Sequence, residues 1–138
     1  ALHGLVADLL ASGVQVKVLR DPTRGGLGTT LNEIARQSGV GMMLQEARIP
    51  VQPAVAAACE FLGLDPLHVA NEGKLVAVCP PAQVDAALAA LRAHPLGARA
   101  ARIGEVIADD HRFVQMKTAL GGRRMVDWLA GEQLPRIC

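Results

Sequence analysis

Three short stretches carry side chains of the types and spacing that chemistry needs. The first is Asp21-Pro22-Thr23-Arg24-Gly25-Gly26-Leu27-Gly28. Bare backbone N–H groups at the start of a helix attract anions, and glycines let a phosphate come close to the main chain. Thr23 offers a hydroxyl to a phosphate oxygen and Arg24 a positive charge, whereas the stretch lacks the Gly-Lys-Ser/Thr ending of a Walker loop. The same residues also suit a plain tight turn, with Pro22 and the glycines bending the chain and Asp21 or Thr23 capping the helix.

The second stretch is Asn71-Glu72-Gly73-Lys74. A carboxylate held at the mouth of a strand by a glycine turn is placed for proton transfer, and burial would raise its pKa toward neutrality. Lys74 could balance that charge or meet a phosphate, and the alternative is a solvated turn with both charges in water. The third is the ending Glu132-Gln133-Leu134-Pro135-Arg136-Ile137-Cys138. Pro135 stops any helix, so the last residues are expected to be extended and able to move, with a thiol at the tip of an arm. The α-carboxylate of Cys138 disfavours the thiolate and Arg136 favours it. An incidental frayed end is the competing reading.

Other reactive types are scattered. His3, His68, His94 and His111 form no i, i+4 pair, so no metal centre is expected. Cys59 and Cys79 fall on apolar segments and read as core thiols, and Asp109-Asp110 reads as turn chemistry rather than a calcium loop. Three cysteines at wide spacing indicate neither a disulfide framework nor a zinc knuckle.

Elements that position these stretches follow from periodicity. Leu2, Leu5, Val6, Leu9 and Leu10 mark one face of a helix closed by Gly13, and Val14 to Arg20 alternates as a strand. Leu27, Leu31, Ile34 and Ala35 mark a second helix ending near Gly39, followed by a strand over Val40 to Glu46. Pro53 opens a third helix with Val55, Ala58, Cys59 and Leu62 inward, stopped by Gly63. Leu75 to Cys79 is an apolar run suited to a strand covered on both faces, and a fourth helix turns Val84, Leu88 and Leu91 inward. Strands near Arg102 to Ile107 and Arg112 to Lys117, joined through Asp109-Asp110, are expected to form a hairpin. A Gly121-Gly122 turn and an amphipathic piece around Val126 to Leu129 follow. The expected class is α+β, a mixed β-sheet with packed helices, with residues 1–130 as the domain and 131–138 as its tail.

Composition excludes several partners. With 138 residues the chain can bury a core of its own, and 14 basic against 13 acidic residues give a formal charge of +1 with no electrostatic footprint for nucleic acid or an anionic membrane. Aromatic residues are 2%, being Phe61, Phe113 and Trp128, so stacking platforms for single strands are lacking. Neither an apolar run long enough to span a bilayer nor a signal-peptide pattern is present, and a soluble, cytoplasmic protein is expected. A chain that starts in a helix without methionine also reads as a piece of a longer protein.

Together, Asp21-Pro22-Thr23-Arg24-Gly25-Gly26-Leu27, Asn71-Glu72-Gly73-Lys74 and the ending Pro135-Arg136-Ile137-Cys138 resemble the C-terminal domain of the HypE family of nickel–iron hydrogenase maturation factors. The likeness runs over essentially the whole chain. The first motif alone marks only the wider aminoimidazole ribonucleotide synthetase superfamily, and the terminal cysteine is the specific part. The resemblance implies an ATP-dependent carbamoyl dehydratase in which Cys138 accepts a carbamoyl group from HypF. The group is dehydrated to a thiocyanate, and its cyanide passes to iron held by a HypC–HypD scaffold. It further implies ATP with magnesium, bound mainly by an N-terminal domain that also forms the homodimer. Glu72 is then the candidate base, and Thr23, Arg24, Gly25, Gly26 and Lys74 are accessory phosphate contacts. Alternatives are another synthetase of the superfamily, such as a selenophosphate synthetase-like enzyme, and a non-catalytic carrier or docking module.

Overall fold

The computed structural model describes residues 1–128. In chain order its elements are α1 (His3–Ala11), β1 (Val18–Arg20), α2 (Gly26–Ser38), β2 (Gly41–Gln45), α3 (Pro53–Leu62), β3 (Val76–Val78), α4 (Val84–Ala93), β4 (Gly104–Ile107), β5 (Val114–Lys117) and β6 (Arg123–Met125). The class is the expected α+β with a mixed sheet. The chain forms two compact units, Ala1–Asp21 with Gly73–Arg102, and Pro22–Glu72 with the residues from Ile103 onward.

In the first unit β1 pairs antiparallel with β3, Val18 opposite Val78 and Arg20 opposite Val76. Leu9, Val14 and Ala87 form its buried core, with half-buried Val16, Cys79 and Leu91 packed on them. The strand expected from Val14 is shorter, because the Val16 N–H bonds back to the Val14 carbonyl at 3.0 Å and bends the chain. That bend turns Val14 into the helical core and leaves the Gln15 N–H to the Gln83 side chain at 2.8 Å. Coverage on both faces is also not found for the Leu75–Cys79 run, where Ala77 is exposed. This sheet has two strands, and the unit's core lies on one side of it.

The second unit holds a four-stranded sheet in the order β4-β2-β5-β6, with β2 antiparallel to β4 and parallel to β5. Period-two burial sets its register: Met42 opposes Val114 and Leu44 opposes Met116, and all four are at most 3% exposed. α2 lies against β2 and β5, with Leu31, Ile34 and Ala35 buried on its inner stripe.

The hairpin expected between β4 and β5 does not form, because β2 lies between them. The Asp-Asp turn is present: Asp109 accepts from the N–H groups of His111 at 3.0 Å and Phe113 at 3.2 Å. It carries the chain past the end of β2 rather than back onto β4. Gly41 is what allows this, since a Cβ there would stand 2.6 Å from the Asp109 Cβ. The tight hairpin is instead β5–β6, closed by the Thr118 N–H bond to the Gly122 carbonyl at 2.8 Å.

On α3 the expected inward stripe is mostly exposed. Cys59 is buried at 6%, but Val55 is 42% and Leu62 60% exposed. Within the unit α3 meets the short turn Pro66–His68, which is too small to cover more than one position along the helix.

Asn32 ties α2 to the last described segment. Its side-chain amide, 8% exposed, donates to the Gly28 carbonyl at 2.9 Å and the Val126 carbonyl at 2.7 Å. Asn32→Ala should therefore lower unfolding free energy by about 2–3 kcal/mol, since two buried carbonyls lose their donor. Urea denaturation checks this, and an unchanged midpoint would mean that the bonds contribute nothing.

Candidate functional site

Pro22 and Thr23 of the first motif meet Asn71 of the second within the second unit. β1 leads into the loop 22–25, where Gly25 (φ +69°) and Gly26 (φ +62°) are consecutive left-handed residues opening α2. Only glycine adopts that pair of conformations without strain. The second glycine has a packing reason as well. A Cβ on Gly26 would lie 2.5 Å from the Leu67 carbonyl oxygen and 2.6 Å from that of Val69. The Asn71 N–H completes the joint, facing the carbonyl oxygens of Pro22 at 3.2 Å and Thr23 at 3.3 Å, while its side-chain amide donates to Val69. Glu72 follows directly.

The start of α2 has no side-chain cap and no acidic residue in its first turn. Thr23, one of the caps expected, therefore makes no cap bond to the helix, and the helix N-terminus keeps its partial positive charge. Arg24 beside it is exposed. One residue that sequence reading missed belongs here. The Thr29 side chain occupies the space above Gly25, and its buried hydroxyl has no hydrogen-bond partner among the described residues. No motif marks it, because its position over Gly25 follows only from the left-handed turn and one helical turn of rise.

Glu72 is exposed, so the burial expected to tune its carboxyl is not supplied by this chain. Lys74 belongs to the first unit, where it lines a shallow cavity of about 220 Å³ with Leu2, Val6, Arg20 and Asp21. Cys138 lies outside the described residues, as does the boundary placed at 130/131.

His68 braces the joint. Its ring stands against Gly28, where a Cβ would come within 2.7 Å of Nε2, and that nitrogen is 2.9 Å from the Asp127 carbonyl oxygen. On the other side Nδ1 lies 3.7 Å from Asp65, which Arg124 pairs at 2.8 Å. The 65–72 loop is thereby fastened to α2 and to the chain just after β6. Among the described residues no group of three His, Cys, Asp or Glu side chains is arranged to hold a metal ion. No described helix is long and apolar enough to cross a membrane.

A chain of this architecture, with the glycine loop on an inner helix, matches a family model over residues 3–117, the AIR synthase related protein, C-terminal domain. The chain belongs to this family. Among AIR synthase-related proteins it is similar to the carbamoyl dehydratase HypE of Azotobacter vinelandii, 69% identical over all of this chain and 40% of the relative. The HypE of Cupriavidus necator is 71% identical over all of this chain and 39% of the relative. The chain thus spans about two-fifths of the length of these curated relatives. A crystal structure of the hydrogenase maturation protein HypE superposes with a TM-score of 0.93 at 50% identity, covering 100% of this chain and 45% of that one. HypE in complex with ATP gives 0.90 at 50% identity over 98% and 42%, and a HypE–HypF complex gives 0.87 at 44% over 92% and 41%.

Two substitutions at the joint should act in opposite directions. Gly26→Ala forces a left-handed alanine against two carbonyl oxygens and should cost about 2–4 kcal/mol. Thr29→Val removes an unpaired buried hydroxyl at constant volume and should leave stability unchanged or raise it by about 1 kcal/mol. Thermal denaturation of both variants checks the pair; a clear loss of stability in Thr29→Val would mean that the hydroxyl has a partner.

Proposed function

We propose that this chain is the C-terminal part of an ATP-dependent carbamoyl dehydratase that makes a thiocyanate on its own terminal cysteine, with residues 1–130 as the synthetase-like domain and 131–138 as the carrier tail. The observation that carries the proposal is the joint itself. The Asn71 N–H on the Pro22 and Thr23 carbonyls ties the residue before Glu72 to the loop that opens α2, where the helix start has no side-chain cap and the Thr29 hydroxyl has no partner among the described residues. A base next to an anion-binding loop is what removal of oxygen from an amide requires. The curated relatives named carbamoyl dehydratase and the HypE structures with ATP and with HypF support the same reading.

The residues fit a phosphate contact: two left-handed glycines, a helix N-terminus without an acidic neighbour, a guanidinium and a free hydroxyl. ATP, with magnesium held by its phosphates, supplies the phosphoryl group that turns the carbamoyl oxygen into a leaving group. Thr23, Arg24, Gly25 and Gly26, with Lys74, hold phosphate oxygens. The Cys138 sulfur carries the carbamoyl group received from HypF. Its carbonyl oxygen departs as phosphate, the two nitrogen protons are lost, and the carbon–nitrogen bond becomes a nitrile. Glu72 accepts a nitrogen proton, and the further chain of the longer protein covers this exposed carboxylate and excludes water. The cyano group then passes to an electron-rich iron on a HypC–HypD scaffold, which supplies the two electrons that let the carbon–sulfur bond break into thiolate and iron-bound cyanide. We place the full-length protein in the cytoplasm as a homodimer through its N-terminal domain, and this chain alone as inactive in dehydration.

In the full-length protein, Glu72→Gln should keep carbamoylation of Cys138 and lower thiocyanate formation by about 10²–10⁴-fold, the usual contribution of a positioned base. Mass spectrometry of the terminal peptide after incubation with HypF, carbamoyl phosphate and ATP reads both states; a normal thiocyanate yield would put the base elsewhere. Dehydration that survives Cys138→Ala would indicate a synthetase without a carrier thiol. Arg24→Ala should weaken ATP about tenfold, the loss of one charge-assisted contact.

A further inference from the structure

A cavity of about 340 Å³ in the second unit has none of residues 21–28 in its lining and no part in the reaction proposed. Its lining includes Arg36, Arg112, His111, Phe113, Asp127 and Trp128. Arg36 stands in the last turn of α2 and Arg112 in the turn between β4 and β5, and both are exposed. Neither guanidinium has an ion-pair partner among the described residues. The Asp127 carboxylate also lines the cavity, but its Oδ1 accepts the Trp128 N–H at 2.9 Å. Two cations against one anion leave the cavity one negative charge short.

The turn that presents Arg112 is fixed. Arg112 has φ +58°, a left-handed conformation rare for a residue with a side chain, and its N–H bonds to the Asp109 carbonyl at 2.9 Å. The Asp109 carboxylate holds the residues on both sides of it. His111 stacks on Phe113 with ring centroids 5.2 Å apart. A planar, fork-shaped donor on a braced turn is suited to a carboxylate.

We propose that this cavity is a dock for a peptide's terminal carboxylate, and that its occupant is the end of this chain, Cys138. Trp128, the last described residue, lines the cavity, so the ten residues 129–138 start at its wall. At about 3.3 Å per extended residue they have ample length to return to it. Their sequence has Gly131 and Pro135, residue types that reverse a chain, and apolar Leu134 and Ile137 for the aromatic wall. Glu132, Arg136 and the α-carboxylate sum to one negative charge, the charge that the cavity lacks. Capture of the α-carboxylate by Arg36 and Arg112 also removes the negative charge nearest the thiol and favours the thiolate. The dock needs only the carboxylate, and it stands or falls independently of what the sulfur carries.

Trp128 is the chain's single tryptophan and reports directly on the site. The experiment compares the whole chain with its free acid end against the same chain made by ligation with a C-terminal carboxamide, in reducing buffer. Amidation should shift Trp128 emission and its quenching by iodide, and Arg36→Ala or Arg112→Ala should abolish that difference. A synthetic Leu-Pro-Arg-Ile-Cys free acid should then bind the amidated chain, about tenfold more tightly than its own amide. An emission unaffected by amidation, with the free-acid peptide still binding, would overturn the chain's own end as the occupant and leave a carboxylate site for another protein. No response to amidation or to either peptide would overturn the dock itself.

Discussion

The geometry of the candidate site depends on one close approach. Gly26 lies so near the Leu67 and Val69 carbonyl oxygens that no side chain fits, and together with Gly25 it turns the backbone through two left-handed residues. That turn aims the start of α2 into the space beside the 67–72 loop. The contact is steric and cannot be relaxed by a side-chain rotation, because backbone meets backbone on both sides. The Asn71 N–H then fixes the register of the two loops, and the His68 ring holds the second loop from behind.

The same two loops are where the chain passes between its compact units, at 21/22 and at 72/73. β1 and β3 pair antiparallel just before the first crossing and just after the second. The motif residues are therefore not ornaments on separate turns. Within the second unit, stretches some fifty positions apart in sequence, at Pro22 and Asn71, share hydrogen bonds. The helix start is left without an acidic cap, and the carboxylate of Glu72 is exposed.

Much of this was legible in the residues. Helix ends were marked by Gly13, Gly39 and Gly63, all of which take positive φ, and the class followed from mixing 3.6- and two-residue periods. Pairing was not legible. Asp109-Asp110 signalled a turn correctly, yet a turn does not say which strand its partner will meet, and Gly41 let β2 slip between. Burial was misjudged on α3 for a related reason, since apolar periodicity shows that a face can be covered and not that this part of the chain supplies the cover. For the site, the motif types stood out but their joint did not, and Thr29 carries no local mark at all. The terminal cysteine was conspicuous in the sequence alone and lies outside the described residues.

The central claim is that the glycine loop and the 67–72 loop form a single rigid joint, and the exchange of the Asn71 amide hydrogen with solvent tests it most directly. If the account is right, that amide exchanges as slowly as those in the middle of α2 and loses its protection when alanine replaces Gly26. An Asn71 amide that exchanges at the rate of an unstructured peptide would contradict it, because the two loops would then be neighbours in sequence motif only.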